Sequence, residues 1–114
     1  MLHFNFLAKV YAKPTQLTVR LNESIRLKCF SDENVRLSHI KWYRNGQKIN
    51  EEPQSANGLL IERKSANNHL YSTLNIKQAT LNDAGTYTCK FGHLKETMHV
   101  NVAISGDKLK SSGI

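Results

Sequence analysis

Apolar and polar residues alternate one by one through most of this chain, and that periodicity restricts the fold more than any other feature. Leu17, Val19 and Leu21 fall on one side of Thr18 and Arg20. Ile25, Leu27 and Cys29 alternate with Ser24, Arg26 and Lys28, and Ile40 and Trp42 with Lys41 and Tyr43. Leu70, Ser72, Leu74 and Ile76 alternate with Tyr71, Thr73 and Asn75; Met98, Val100, Val102 and Ile104 alternate with Thr97, His99 and Asn101. Successive side chains of a strand point to opposite faces, so each run predicts a strand with one buried face. No segment of helical length carries an apolar stripe at the helical period. Turn signals fall between the runs, at Asn22-Glu23, Asn45-Gly46, Asn57-Gly58 and Asn67-Asn68. Asn-Gly supplies the positive φ angles that a two-residue hairpin turn needs. Pro14 lacks an N–H and predicts a break in an edge strand. Short strands, frequent turns and no helices predict an all-β antiparallel sandwich or barrel.

Length and charge bound what such a fold can be. The chain has 114 residues, of which 39% are hydrophobic. That is one domain with enough apolar surface to bury a core. Two cysteines permit at most one disulfide, and C-x-x-C is absent. No uninterrupted apolar run approaches the roughly 20 residues that span a bilayer. Membrane attachment is therefore expected only through other parts of a longer chain. Residues 1–7 read as an N-terminal extension. The apolar run of residues 1–10 has no basic residues before it and is interrupted by Lys9, so it is a poor secretory signal, although the tail of a truncated one is the alternative. Residues 8–104 read as the domain, and residues 105–114 as a small, polar C-terminal linker of the kind that joins a domain to more chain.

Three residue types then combine at fixed spacing. Cys29 and Cys89 fall on separate predicted strands, Trp42 follows the first cysteine by 13 positions, and Tyr87 precedes the second by two within Asp83-Ala-Gly-Thr-Tyr-Thr-Cys89. This pattern resembles an immunoglobulin-superfamily domain over roughly residues 12–104. The resemblance implies a Greek-key sandwich of two sheets, A-B-E-D and A′-G-F-C-C′. It implies strands A/A′ at 8–21, B at 24–31, C at 39–44, C′ at 47–50, D at 59–64, E at 69–77, F at 85–91 and G at 95–104. It implies a Cys29–Cys89 disulfide between the sheets, with Trp42 packed on it. Tyr87 would bond back to the upstream backbone, and Gly85 would permit a close approach at that corner. The interval from Trp42 to Cys89 is similar to that of an intermediate-set or V-like domain with an enlarged C′–D region. Arg63 is expected to pair with Asp83 across the bottom of the sandwich, as in variable-type relatives. The resemblance implies an extracellular setting, of the kind occupied by adhesion molecules and receptors. The alternative is a reduced, intracellular spacer like the domains of muscle filament proteins, since disulfides track oxidising compartments.

Enzymatic chemistry finds no residues to carry it. There is no nucleophile-elbow, phosphate-loop or zincin motif, and no metal-spaced cluster. No cofactor or metal is expected. The five histidines are scattered, and only His93 and His99 share a hairpin, without a third ligand. Glu51-Glu52 reads as a solvated loop rather than an acid/base pair. Asn22-Glu-Ser24 is an N-glycosylation sequon in a predicted turn.

The remaining feature is a basic excess of 16 Lys+Arg over 9 Asp+Glu, a formal +7. Arg20, Arg26, Lys28 and Lys77 are expected to project outward from A′, B and E as a cationic stripe. Such a stripe attracts polyanions, and outside the cell a heparan-type glycosaminoglycan. Nucleic acid is not expected, because the chain resembles no nucleic-acid module and shows no aromatic stacking series. The opposite sheet is expected to present Lys41, Tyr43, Thr86, Thr88, Lys90, Thr97, His99 and Asn101. Superfamily members commonly recognise proteins through this C-F-G face. The resemblance thus implies a non-catalytic binding module whose partner is a protein, either a second copy or another immunoglobulin-domain protein. Tyr43 and Leu94, the latter expected exposed at the F–G tip, are the candidate anchors.

Overall fold

A computed structural model of the chain describes residues 9–32, 35–51 and 58–104. The N-terminal extension, the C-terminal linker, Glu52 and the Asn57 half of the Asn57-Gly58 turn lie outside the described residues. Among the described residues nine strands form: β1 (Val10–Lys13), β2 (Gln16–Arg20), β3 (Ile25–Ser31), β4 (Ile40–Arg44), β5 (Gln47–Lys48), β6 (Leu59–Ala66), β7 (His69–Ile76), β8 (Gly85–Phe91) and β9 (Leu94–Ala103). They build two sheets, β1-β3-β7-β6 and β2-β9-β8-β4-β5. These are the predicted A-B-E-D and A′-G-F-C-C′ orders.

The chain crosses between the sheets at its start. β1 runs antiparallel to β3, whereas β2 runs parallel to β9. The break falls at the Lys13-Pro14 peptide, which is cis. The hairpin turns follow residue chemistry. Asn45 and Gly46, and likewise Asn67 and Asn68, all have positive φ. Two such residues in succession match the right-handed twist of the strands they join. The edges of the elements shift modestly from expectation. β6 extends to Ala66, and β9 ends at Ala103, leaving Ile104 exposed rather than on the buried face. Leu21 lies in the turn after β2 and is likewise exposed, not inward-facing.

The core lies between the sheets. Ile25, Leu27 and Cys29 of β3 meet Ile40 and Trp42 of β4, Leu74 and Ile76 of β7, Tyr87, Cys89 and Phe91 of β8, and Met98 and Val100 of β9. Cys29 and Cys89 are joined by a disulfide across the sandwich. Trp42 is the register partner of Cys89, so its indole stands beside that bridge. Its Nε1–H donates to Ser72 Oγ at 2.8 Å, and Ser72 Oγ donates in turn to the Glu62 carbonyl at 2.8 Å. A buried indole N–H is thereby satisfied within an apolar layer.

Candidate functional site

The corner below β8 is held by backbone and side chain together. Tyr87 is buried, and its hydroxyl donates to the Asp83 carbonyl at 2.5 Å. Burial pushes the Tyr87 phenol up from its ordinary value, against a hydrogen bond and charge from Arg44. The Asp83 carboxylate accepts from the Thr80 N–H at 2.7 Å and the Thr80 hydroxyl at 3.0 Å. Gly85 has φ +151°, and a Cβ there would lie 2.7 Å from the Asn45 side chain. Asn45 needs that space, because its Oδ1 accepts from the Thr86 N–H at 2.9 Å.

The expected Arg63–Asp83 pair does not form. Asp83 is paired with Arg44, Nη1 to Oδ1 3.6 Å. Arg63 donates instead to Glu51, at 2.6 and 3.0 Å, and to the Ile40 carbonyl at 2.8 Å. The reason is position along β6. Leu59, not Arg63, sits beside Ile76 at the Asp83 end of the sandwich. Arg63 is four residues further, roughly 13 Å at strand rise. Glu51 is accordingly one arm of a fork–fork ion pair rather than a free loop carboxylate.

That pair makes a pH prediction. The hydrogen bond from Arg63 holds the Glu51 carboxyl below its ordinary range; burial opposes this, and the charges of Arg63, Lys48 and Lys41 assist. A depressed folded-state pKa contributes stability above the unfolded value, and that contribution is lost as pH falls through the folded value. Melting temperatures followed from neutral pH to below about 4 should therefore fall less steeply in Glu51→Gln than in the parent. The difference should be small, because the pair is partly solvated. Parallel curves would contradict the pairing.

The outward face of β4, β8 and β9 carries the predicted recognition residues in cross-strand rows. Tyr43, Thr88 and Thr97 are register partners, as are Thr86 and His99, whose Oγ1 and Nδ1 lie 3.3 Å apart. Tyr43 is half-buried, and Lys90 Nζ stands 5.9 Å over its ring. Lys41, Lys90 and Lys95 form a continuous row, each opposite the next. Lys95 was not among the expected face residues, although its spacing from Thr97 and His99 places it there. Leu94 is not an exposed tip. The two-residue turn is Gly92-His93, so Leu94 stands opposite Phe91 and packs, half-buried, against the core. His93, in the turn, and His99, well down β9, are not brought together. Among the described residues no group of three His, Cys, Asp or Glu side chains is placed to hold a metal ion.

The four proposed stripe residues divide between the sheets. Arg20 lies on β2, in the sheet of the opposite face, and is paired with Glu23 at 3.4 Å. Arg26 and Lys28 project from β3, and Lys77 follows β7 in the same sheet. Beside them, contrary to expectation, runs a series of stacked aromatic rings. Tyr11, Phe30 and Tyr71 stack across β1, β3 and β7, with centroids 5.3 and 6.2 Å apart. The series is absent from the linear sequence because its members come from three distant strands. Alternation was the available signal, since Phe30 and Tyr71 share parity with Arg26 and Lys28, and with Thr73. Asn22 is exposed in the β2–β3 turn with φ +72°.

Known proteins carry the same architecture. The profile of the immunoglobulin domain family matches residues 9–91, and the chain belongs to that family. No curated protein matched it. Among solved structures it is similar to a chain in the crystal structure of Dpr2 Ig1-Ig2 in complex with DIP-Theta Ig1-Ig3. Identity there is 27% with a TM-score of 0.69, over 86% of this chain and 50% of that one, so the chain spans half of its match. The first Ig domain of the mouse polymeric immunoglobulin receptor aligns at 22% identity and TM-score 0.61, over 85% of this chain and 96% of that one. An Ig-like domain of human Obscurin-like protein 1 aligns at 20% identity and TM-score 0.62, over 87% and 88%. The last two likenesses speak to fold alone.

Proposed function

We propose that this domain is a non-catalytic recognition module of the cell exterior, which binds another immunoglobulin-domain protein through the β4-β8-β9 face. The observation that carries the reading is the row Lys41–Lys90–Lys95, none of which is in an ion pair among the described residues, beside a half-buried Tyr43. Like charges set directly opposite one another weaken a sheet. A face that keeps them trades stability for an electronegative partner. Tyrosine adds contact area at low entropy cost. The Dpr2–DIP-Theta complex supports the class of partner, because both of its members are built of Ig domains. Pairing with a second copy is disfavoured, since an isologous interface centred on this face would set lysine row against lysine row. The disulfide supports the oxidising compartment, and Asn22 is the proposed glycan acceptor there.

The test is a binding screen of the multimerised domain against a panel of extracellular Ig-domain proteins. A partner should be found, and Tyr43→Ala should weaken it at least about tenfold while leaving the melting temperature within a few degrees. Undiminished binding by Tyr43→Ala contradicts the face assignment. An affinity for sulfated glycosaminoglycan belongs to the same proposal, carried by the outward cations of the β1-β3-β7-β6 sheet. Retention on heparin should fall steeply between low and moderate salt as surface charges are screened. Absence of retention at low salt contradicts it.

A further inference from the structure

The outer face of the β1-β3-β7-β6 sheet combines rings and cations in a way that folding does not ask for. Tyr11 and Phe30, and Phe30 and Tyr71, are register partners on neighbouring strands. Their planes lie within 29° of each other, and Tyr11 is 49% exposed. The next row sets Lys13 directly opposite Lys28. Lys64 stands opposite Tyr71 on the other side, and Lys28 Nζ lies 4.8 Å from the Tyr71 centroid. Among the described residues none of Lys13, Lys28 and Lys64 is in an ion pair. Among the described residues two carboxylates share the face: Glu62 on β6, and Asp32, whose Oδ1 accepts from the Lys9 N–H at 3.1 Å. A groove of about 380 Å³ beside the ring row is lined by Lys28, Glu62, Lys64, Ala66, Tyr71 and Thr73.

The chemistry of the row selects its ligand. Rings stacked on one another present their edges outward, and ring edges carry the positive end of the quadrupole. Tyrosine hydroxyls add donors. Lys28, resting over a ring, has less freedom to lose on binding. The face is therefore apolar along its ridge and anion-seeking along both flanks. A nucleic-acid single strand would need open ring faces for its bases, whereas here the rings stack on their neighbours and Lys28 stands over the Tyr71 ring.

We propose that this face binds a sulfated glycosaminoglycan, with sulfate and uronate groups at Lys13, Lys28 and Lys64 and sugar rings along the Tyr11–Phe30–Tyr71 ridge. The proposal rests on the glycan affinity proposed above and assigns it to a site. The experiment is titration of the isotopically labelled full chain with a heparin octasaccharide at low salt. Two triple variants are compared, Lys13→Ser/Lys28→Ser/Lys64→Ser and Lys41→Ser/Lys90→Ser/Lys95→Ser. Each removes three charges, so attraction to net charge alone weakens both equally. The first should lose about tenfold or more in affinity and the second no more than about threefold. Tyr11→Ser, with charge unchanged, should also weaken binding and leave the fold intact. Equal losses, or a larger loss in the second variant, overturn the site while leaving the glycan affinity standing. Failure of the parent chain to bind the octasaccharide overturns both. Tighter binding of a single-stranded oligonucleotide at the same face and salt overturns the ligand class.

Discussion

Trp42→Ala should destabilise the domain by about 3–5 kcal/mol, against a total stability of roughly 5–15 kcal/mol for a domain of this kind. The indole is wholly buried in the layer between the sheets, beside the Cys29–Cys89 bridge. Its removal leaves a cavity that neighbouring strands cannot collapse into, because each is tied to its own sheet. It also deprives Ser72 of the indole donor, while the bond from Ser72 to the Glu62 carbonyl keeps that hydroxyl partly satisfied. Trp42→Phe separates the two terms. It retains most of the packing and should cost far less, with roughly 1 kcal/mol attributable to the lost hydrogen bond. Urea unfolding of both variants reads the difference directly. A Trp42→Ala loss below about 1 kcal/mol would contradict the central place given to the indole.

Removing the disulfide is the second large effect. The bridge joins residues 60 positions apart. Chain-entropy arguments give roughly 4 kcal/mol for a loop of that length, and losses of about 2–5 kcal/mol are usual for small secreted domains. Cys29→Ala/Cys89→Ala should lie in that range, with folding compromised at physiological temperature. The two sites are neighbours, so the triple variant with Trp42→Ala should not show the sum of the separate losses. Strict additivity would mean that the indole and the bridge do not share one packing unit.

The fold was legible because its signals are local or pairwise. Period-two alternation marks strands whichever sheet they join, and Asn45-Gly46 and Asn67-Asn68 mark turns by backbone preference alone. Cys29, Trp42, Tyr87 and Cys89 carried the topology only through the family resemblance that they mark. What escaped depends on register between distant strands. Tyr11, Phe30 and Tyr71 become neighbours only when β1, β3 and β7 align. Arg63 misses Asp83 because the register of β6 on β7 sets Leu59, not Arg63, beside Ile76 at the Asp83 end, and no local pattern reports that register. Leu94 turned inward because the hairpin is only two residues long, so that the residue after it inherits the parity of Phe91. Lys41, Lys90 and Lys95 were each visible as surface lysines, but their row appears only once β4, β8 and β9 are in register. The residues that hold the sandwich together were thus readable from alternation and from the family resemblance, and the residues that share a surface were not.

Two settings use this sandwich: recognition outside the cell, and mechanical linkage inside it. They differ in the state of one bond. The decisive measurement is the intact mass of the domain purified from its native source, alkylated without and with prior reduction. A recognition module of the cell exterior should take up no alkyl group at Cys29 or Cys89 until it is reduced, and then one at each. Modification of both cysteines in the unreduced, denatured protein would contradict the account and assign the domain to the cell interior.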